Sequence, residues 1–425
     1  MAGRILVMPR AGMPDAALEK ILGEQGGGKG RRVGRSELRI VDLPPGLEKQ
    51  MVERLRRHPH IKFAEVDEVV QPELVSNDPY LGSQWHLTKI GAHAAWDQAT
   101  GGGVTIAILD TGVDSTHPDL AARIVPGWNV YDNNANTSDV YGHGTKVAGA
   151  AAAAFNNGLG VAGVGGGAKI MPIRISSLTG GATFSSMAAG LTWAADNGAK
   201  VANISYRSAG SAAVNSAASY MKSKGGLVIT SAGNNGVDEG FAQTTAMIPV
   251  SSTGSGYLKS SWSSYGVYVA LSAPGEGIYT TTNGGGYGAV SGTSFSSPIT
   301  AGVAALVMSV NPKLSASDVE KHLFGTALDL GAAGRDSYYG HGRVDAAGAV
   351  QSALTTVATV DTTAPAASIT APLASSTVSG LVAVSASATD SVGVAKVELR
   401  VNGSLIGTDT SAPYGFSWDS TQAGN

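Results

Sequence analysis

Ile106-Ala107-Ile108-Leu109-Asp110-Thr111-Gly112 is an apolar run that ends in an acid and a glycine turn, the pattern of a strand delivering a carboxylate to the edge of a sheet. The residues around it repeat the theme. Between about 76 and 357, short β-rich runs alternate with longer helical ones. Residues 104–109 are followed by a Gly/Ala helix from Gly144, 169–175 by a helix near 186–196, 201–204 by a helix near 212–224, and 227–230 by the turn Ser231-Ala232-Gly233-Asn234. Such alternation predicts an α/β unit, a parallel sheet with helices on both faces, whose site lies at the carboxyl ends of the strands.

The flanks read differently. Residues 1–75 hold 13 of the 29 Lys and Arg residues, with short strands at 4–8 and 38–43, helical spacing at 14–22 and 47–57, and an extended stretch at 61–67. This is a small α+β module, ended by the polar stretch Val75-Ser76-Asn77-Asp78-Pro79. After Gly348 the helical pattern fades. The Thr/Ala/Pro-rich residues 358–367 read as a linker, and 368–425 alternate apolar and polar positions around an Asn402-Gly403 hairpin turn, an all-β segment. Four segments are predicted: 1–75, 76–357, 358–367 and 368–425.

Composition narrows the chemistry. There are 0 cysteines, which excludes a thiol nucleophile, a thiolate metal site and a disulfide scaffold. A net charge of -3 gives neither nucleic acid nor an anionic membrane a reason to bind. The longest apolar stretches, the Ala-rich run after Gly149 and residues 298–310, fall short of the ~18 residues that cross a bilayer. The start, Met-Ala-Gly-Arg, lacks the apolar segment of a secretory signal, so export has to be argued from elsewhere, a cropped signal being one way to account for it.

Three motifs carry reactive side chains. Asp110 closes the strand quoted above. Gly142-His143-Gly144-Thr145 begins a helix with a histidine set between glycines that let the backbone approach closely. Gly292-Thr293-Ser294-Phe295-Ser296-Ser297-Pro298 opens another helix, with Pro298 in its first turn and Ser294 at the positive end of the dipole. A serine hydroxyl near neutral pH needs a base to take its proton and an acid to orient that base. His143 and Asp110 fit these parts, and Asn234, on its turn after a strand, fits as an oxyanion donor beside the Ser294 N–H.

The order Asp, His, Ser and the set Asp-Thr-Gly, His-Gly-Thr, Ala-Gly-Asn and Gly-Thr-Ser resemble the subtilisin-like serine proteases over roughly residues 76–350. The resemblance implies a three-layer parallel-sheet catalytic domain and a secreted serine endopeptidase that works through Asp110, His143, Ser294 and Asn234 and an acyl-enzyme. It implies that 1–75 is an inhibitory propeptide, an intramolecular chaperone removed by self-cleavage near residues 72–77. Protein and peptide substrates would be held by strand addition at Gly180, Gly181, Ala182, Ser205 and Tyr206, with Ala232, Gly233 and Asn234 walling the primary specificity pocket. It further implies a structural Ca²⁺ held by Asp78, Asp119, Phe155, Asn157, Leu159 and Val161. Where the family usually has Leu-Gly-Gly after Ser205, this chain has Tyr206-Arg207-Ser208. Arg207 is therefore expected either to draw acidic side chains into the cleft or to point into solvent. Residues 368–425 resemble a bacterial immunoglobulin-like module, shorter than a full sandwich, so its terminal strands are expected to be missing.

Each of these residues alone also has a plain structural explanation: Asp110 in a turn, His143 at a helix start, Ser294 as a cap, Asn234 in an Asx turn, and the Asn-rich loop closed without metal. His117 is a rival base without a glycine-framed helix start. His58 and His60 flank a proline without metal-ligand spacing, and the glycine runs 163–167 and 284–286 lack a phosphate-loop fingerprint and read as turns. Two other functions stay open at this point, a polymer-binding protein on a vestigial protease fold and a processing enzyme of narrow specificity.

Overall fold

The computed structural model describes residues 3–422 apart from 45, 68–75, 357–363, 391–393, 395 and 411. The chain separates into two compact units, residues 1–72 and 73–425. The expected boundary at 75/76, most of the expected cleavage stretch 72–77 and most of the linker 358–367 fall outside the described residues.

In the second unit the strand Thr105–Asp110 lies inside a seven-stranded sheet. Its spatial order is Leu271–Pro274, Ile248–Thr253, Leu227–Ser231, Val201–Arg207, Thr105–Asp110, Lys169–Arg174, Trp128–Asn129, and every pairing is parallel. Side chains alternate between two cores. Ile106 and Ile108 join the helices His143–Ala152, Thr293–Val310, Ala316–Gly325 and Ala346–Thr355 on one face, whereas Ala107 and Leu109 join Phe184–Asp196 and Ala212–Ser223 on the other. The period-two pattern of the strand thus buries both of its faces, which is what a three-layer arrangement requires. The winding direction reverses beside Thr105–Asp110, and crevices at such switch points hold ligands in open α/β sheets.

Two expectations need correction. Helix content does not fade at Gly348, because Ala346–Thr355 is a helix capped by the Asp345 side chain on Gly348 N. Nor is Pro298 in the first turn, since the helix starts at Thr293 and Pro298 is in its interior. A proline there deprives the Ser294 carbonyl of its helical N–H, and the Ser205 hydroxyl takes that place by donating to Ser294 O at 2.8 Å. The helix, at 18 residues, is also long and apolar enough to cross a membrane, but 89% of it is buried in the core.

The first unit is an antiparallel sheet in the order Arg31–Arg32, Arg39–Asp42, Arg4–Pro9, Ile61–Val66, with helices Asp15–Glu24 and Glu48–Arg56. Ile5, Val7 and Val41 from alternate strand positions meet Leu18, Leu22, Met51, Val52 and Leu55 from the helices in one core. Near the C-terminus, Ala366–Ala371, Leu381–Thr389 and Tyr414–Asp419 form a second antiparallel sheet. Val397–Val401 pairs with Ser404–Asp409 around Asn402 and Gly403, whose φ values of 50° and 84° are those of the tight hairpin turn the dipeptide favours.

Candidate active site

Asp110 ends its strand with a side chain that is 0% exposed. Its Oδ1 accepts hydrogen bonds from Thr111 N at 2.7 Å and His143 Nδ1 at 2.8 Å, while Oδ2 is buried with no hydrogen-bond partner among the described residues. The histidine reaches it because glycines let the two segments touch. A Cβ on Gly144 would lie 2.0 Å from Gly112 O and 3.0 Å from Asp110 Cβ. Gly112 is needed for a second reason, since its φ is +101° and a Cβ there would lie 2.3 Å from Ser138 O.

A second carboxylate ties this corner together. Asp139 Oδ1 accepts from Thr111 Oγ1 (2.7 Å), Gly142 N (2.7 Å) and Tyr141 N (3.1 Å), and Oδ2 from Thr145 N (2.8 Å) and Thr145 Oγ1. Thr111 Oγ1 in turn accepts from Gly144 N at 2.9 Å. Burial alone would depress the His143 pKa. The charge and hydrogen bond of Asp110, with the charge of Asp139, outweigh it and hold the imidazole above its ordinary value.

Ser294, 9% exposed, is the second residue of its helix. Its hydroxyl donates to Ser205 O at 3.2 Å, and no hydrogen bond joins it to His143. Catalytic hydrogen bonds are often loose in substrate-free proteins. Asn234 Oδ1 accepts from Thr293 N (2.9 Å) and Thr293 Oγ1 (2.8 Å), which leaves its Nδ2 free to face outward. Gly292 shows where that amide points. A Cβ there would sit 3.6 Å from both Asn234 Nδ2 and Ser294 N, so two N–H donors border one open point in front of the helix.

The residues expected to bind substrate divide into two groups. Gly181 and Asn234 are exposed, and Gly180, Ala182 and Tyr206 are half-buried. Tyr206 OH donates to Gly180 O at 2.8 Å, linking the Gly180 loop to the strand Val201–Arg207; burial and then the charge of Asp110 push its pKa up. The Ser205 side chain is instead buried beneath the Ser294 turn, and Ala232 and Gly233 are buried, with Ala232 O accepting from Tyr268 OH at 2.8 Å. Their main chains are engaged inside the protein as well: Ala232 N donates to Val250 O, Gly233 N to Thr293 Oγ1, and Gly233 O accepts from Ser264 N. Arg207 is neither free for acidic substrates nor alone in solvent: it forms an ion pair with Glu239 and lies over the Phe241 ring.

His117 is 0% exposed, with Nε2 on Gly286 O at 2.9 Å and Nδ1 accepting from Asp119 N at 3.1 Å, a histidine used up in packing. Asp78 and Asp119 are buried carboxylates wrapped by the loop. Asp78 accepts from Asn156 N (2.8 Å) and Asn157 N (3.1 Å), and Asp119 from Val161 N (2.9 Å) and Asn157 Nδ2 (3.0 Å). Among the described residues neither acid forms an ion pair, and no group of three His, Asp or Glu side chains converges on a point. Any cation here would be held by two acids and loop oxygens, a donor set that suits Ca²⁺.

Sequence reasoning missed Thr111, Asp139, Thr145, Thr293, Ser264 and Glu239. Thr111 and Thr293 adjoin residues it did name, but Asp139 and Glu239 lie in loops with no periodicity to mark them.

Comparison with known proteins agrees with this geometry. A model of the subtilase family matches residues 101–342, which contain Asp110, His143, Asn234 and Ser294, and a bacterial Ig domain model matches 365–425. The chain is 42% identical over 279 residues to thermitase of Thermoactinomyces vulgaris, covering 65% of this chain and 99% of that protein. It is 34% identical over 313 residues to a thermophilic serine proteinase of Bacillus sp. (strain AK1), covering 72% and 77% of the two. Among solved structures, a protease of Pseudoalteromonas arctica PAMC 21717 superposes with a TM-score of 0.62 at 32% identity, covering 66% of this chain and 100% of that one.

Proposed function

The chain belongs to the subtilase family and is a serine endopeptidase, and from that premise we propose that Ser294, His143 and Asp110 are its triad, with Asn234 as oxyanion donor. The observation that carries the reading is the 2.8 Å bond from His143 Nδ1 to a fully buried Asp110. It keeps the imidazole proton on Nδ1 and leaves Nε2 as the base. Ser294 Oγ leaves Ser205 O, gives its proton to Nε2 and attacks the scissile carbonyl. The carbonyl oxygen becomes an oxyanion between Asn234 Nδ2 and Ser294 N, and His143 then protonates the departing amine. Water enters by the reverse path and frees the acid.

Residues 1–75 are read as the propeptide, chaperone and inhibitor of the enzyme, and the protein as secreted, because a broad protease is safest when silent until export. What supports this is a first unit with its own core. Where Ca²⁺ is concerned, two buried acids without a cationic partner fit it; Asp78, Asp119 and Asn157 with the carbonyls of Phe155, Leu159 and Val161 would hold it. Bound there it would neutralise the acids and brace the loop.

The test is to express the chain and Ser294→Ala in parallel and follow self-cleavage by mass spectrometry and casein hydrolysis. Wild type should shed a fragment ending near residues 72–77 and then gain activity, and Ser294→Ala should do neither. Silence of both proteins in calcium-containing buffer would overturn the reading.

A further inference from the structure

We propose that Glu239 is a positioning residue for Asn234, with Arg207 as its counter-charge, an inference that rests on Asn234 being the oxyanion donor. The turn that carries Asn234 is held from behind on both sides of that residue. Ser264 N donates to Gly233 O at 2.8 Å, and Asn235 N donates to Ser264 Oγ at 3.1 Å. Both supports lead to one carboxylate, since Glu239 Oε1 accepts from Ser264 Oγ at 2.7 Å and from Asn235 Nδ2 at 2.9 Å. Glu239 Oε2 accepts from Arg207. Thr293 grips the Asn234 side chain from the front, and Glu239 holds its backbone from the rear.

The fit is close. A Cβ on Gly233 would meet Ser264 Oγ at 2.9 Å, Arg207 Cδ at 3.0 Å and Glu239 Oε1 at 3.2 Å, so the ion pair fills the space behind the glycine. The Glu239 side chain is 6% exposed and that of Arg207 47%, which places the acid inside and its counter-charge toward water. An irregularity after Ile204 shifts the strand so that Arg207 pairs with Ser231, on the strand leading into the turn. Burial works against the Glu239 charge, and the bonds from Ser264, Asn235 and Arg207 outweigh it, keeping its pKa below the usual range. The unusual Tyr206-Arg207-Ser208 thus serves the donor turn rather than the choice of substrate charge.

Glu239→Gln sets an amide NH₂ among groups that all donate, so the turn should loosen while the cleft stays open. The expected result on a peptide amide substrate is a kcat loss of roughly tenfold with KM nearly unchanged, the scale of one charge-assisted hydrogen bond. Arg207→Met should lose about threefold in kcat, and Arg207→Lys should recover most of it, because charge matters here more than the fork. The deciding measurement repeats each change in an Asn234→Ala background, where a residue that acts through Asn234 has nothing left to position and kcat should fall no further. An equal loss in both backgrounds, or a change in KM alone, would overturn the proposal. If Asn234→Ala by itself keeps full kcat, the oxyanion reading fails and takes the proposal with it. Should Glu239→Gln not fold, the two Arg207 variants carry the same comparison.

Discussion

The two corners of the site are built from different materials. The acid–base corner is made of charge: Asp110 buried with one unpartnered oxygen, His143 above it and Asp139 alongside. The oxyanion corner faces the site with neutral amides, Asn234 exposed and held by two hydrogen bonds to Thr293, and keeps its charges, Glu239 and Arg207, behind the turn. A buried charge fixes a proton's location and tolerates little change. A surface amide fixes a dipole and is restored by any structure that returns it to the same place.

The sharpest way to break the comparison is Asp110→Asn. The amide removes the charge that stabilises the imidazolium, and where Nδ2 takes the place of the one oxygen that Thr111 N and His143 Nδ1 share, the imidazole proton is forced onto Nε2 and no base is left. The expected loss is roughly 10⁴-fold in kcat, the size known for this change in other triad proteases. Pre-steady-state acylation measures it, and a loss under tenfold would mean that Asp110 does not set the tautomer. Asn234→Ala should cost roughly 10²–10³-fold, as removal of this donor does in subtilisin, a relative, with KM little changed. The order of these two losses is the prediction: if the amide costs more than the acid, charge is not what distinguishes the corners.

Thr293→Val probes the oxyanion corner more gently. Thr293 Oγ1 donates to Asn234 and accepts from Gly233 N at 3.2 Å, and valine keeps the shape but loses both bonds. Asn234 retains the Thr293 N–H, so the expected loss is about fivefold in kcat. Titration with a transition-state aldehyde inhibitor should weaken in proportion, and a change in peptide binding alone would count against the assignment.

How much of this was legible beforehand follows from what kind of information each part carries. Alternation of apolar runs located the parallel sheet because both faces of Ile106–Leu109 are buried and no polar position interrupts it. Short motifs singled out Asp110, His143 and Ser294 because glycine is needed where backbones touch, as Gly144 touches Gly112. Pro298 misled because proline in a first turn is common, while its tolerance in the interior depends on Ser205, 89 residues away from Ser294. The pairing of Arg207 with Glu239 was equally illegible. An arginine in a cleft reads as a substrate ligand until the acid, 32 positions on, is seen to fold back against it.

The smallest expected effect tests whether charge in the first corner extends beyond Asp110. His143 faces Asp110 from its strand and Tyr206 from the neighbouring one, with Asp139 in the preceding loop and Lys146 on its own helix. Among the described residues Asp110 is the one acid bonded to the ring, and Asp139 contributes through space. Asp139→Asn removes one negative charge that stabilises the imidazolium; its oxygen can keep the bonds from Thr111, Tyr141 and Gly142, but its Nδ2 then faces the Thr145 N–H, so the plateau should fall as the clasp loosens. The base works only when neutral, so activity is lost as pH falls through the raised pKa of His143. Without Asp139 that pKa drops, and the acid limb of kcat/KM should move to lower pH, the direction expected on losing a partly screened charge. Added salt should shrink the difference between the two proteins. If the limb stays in place and only the plateau falls, Asp139 acts solely as the clasp between Thr111, Gly142 and Thr145, and charge in this corner ends at Asp110.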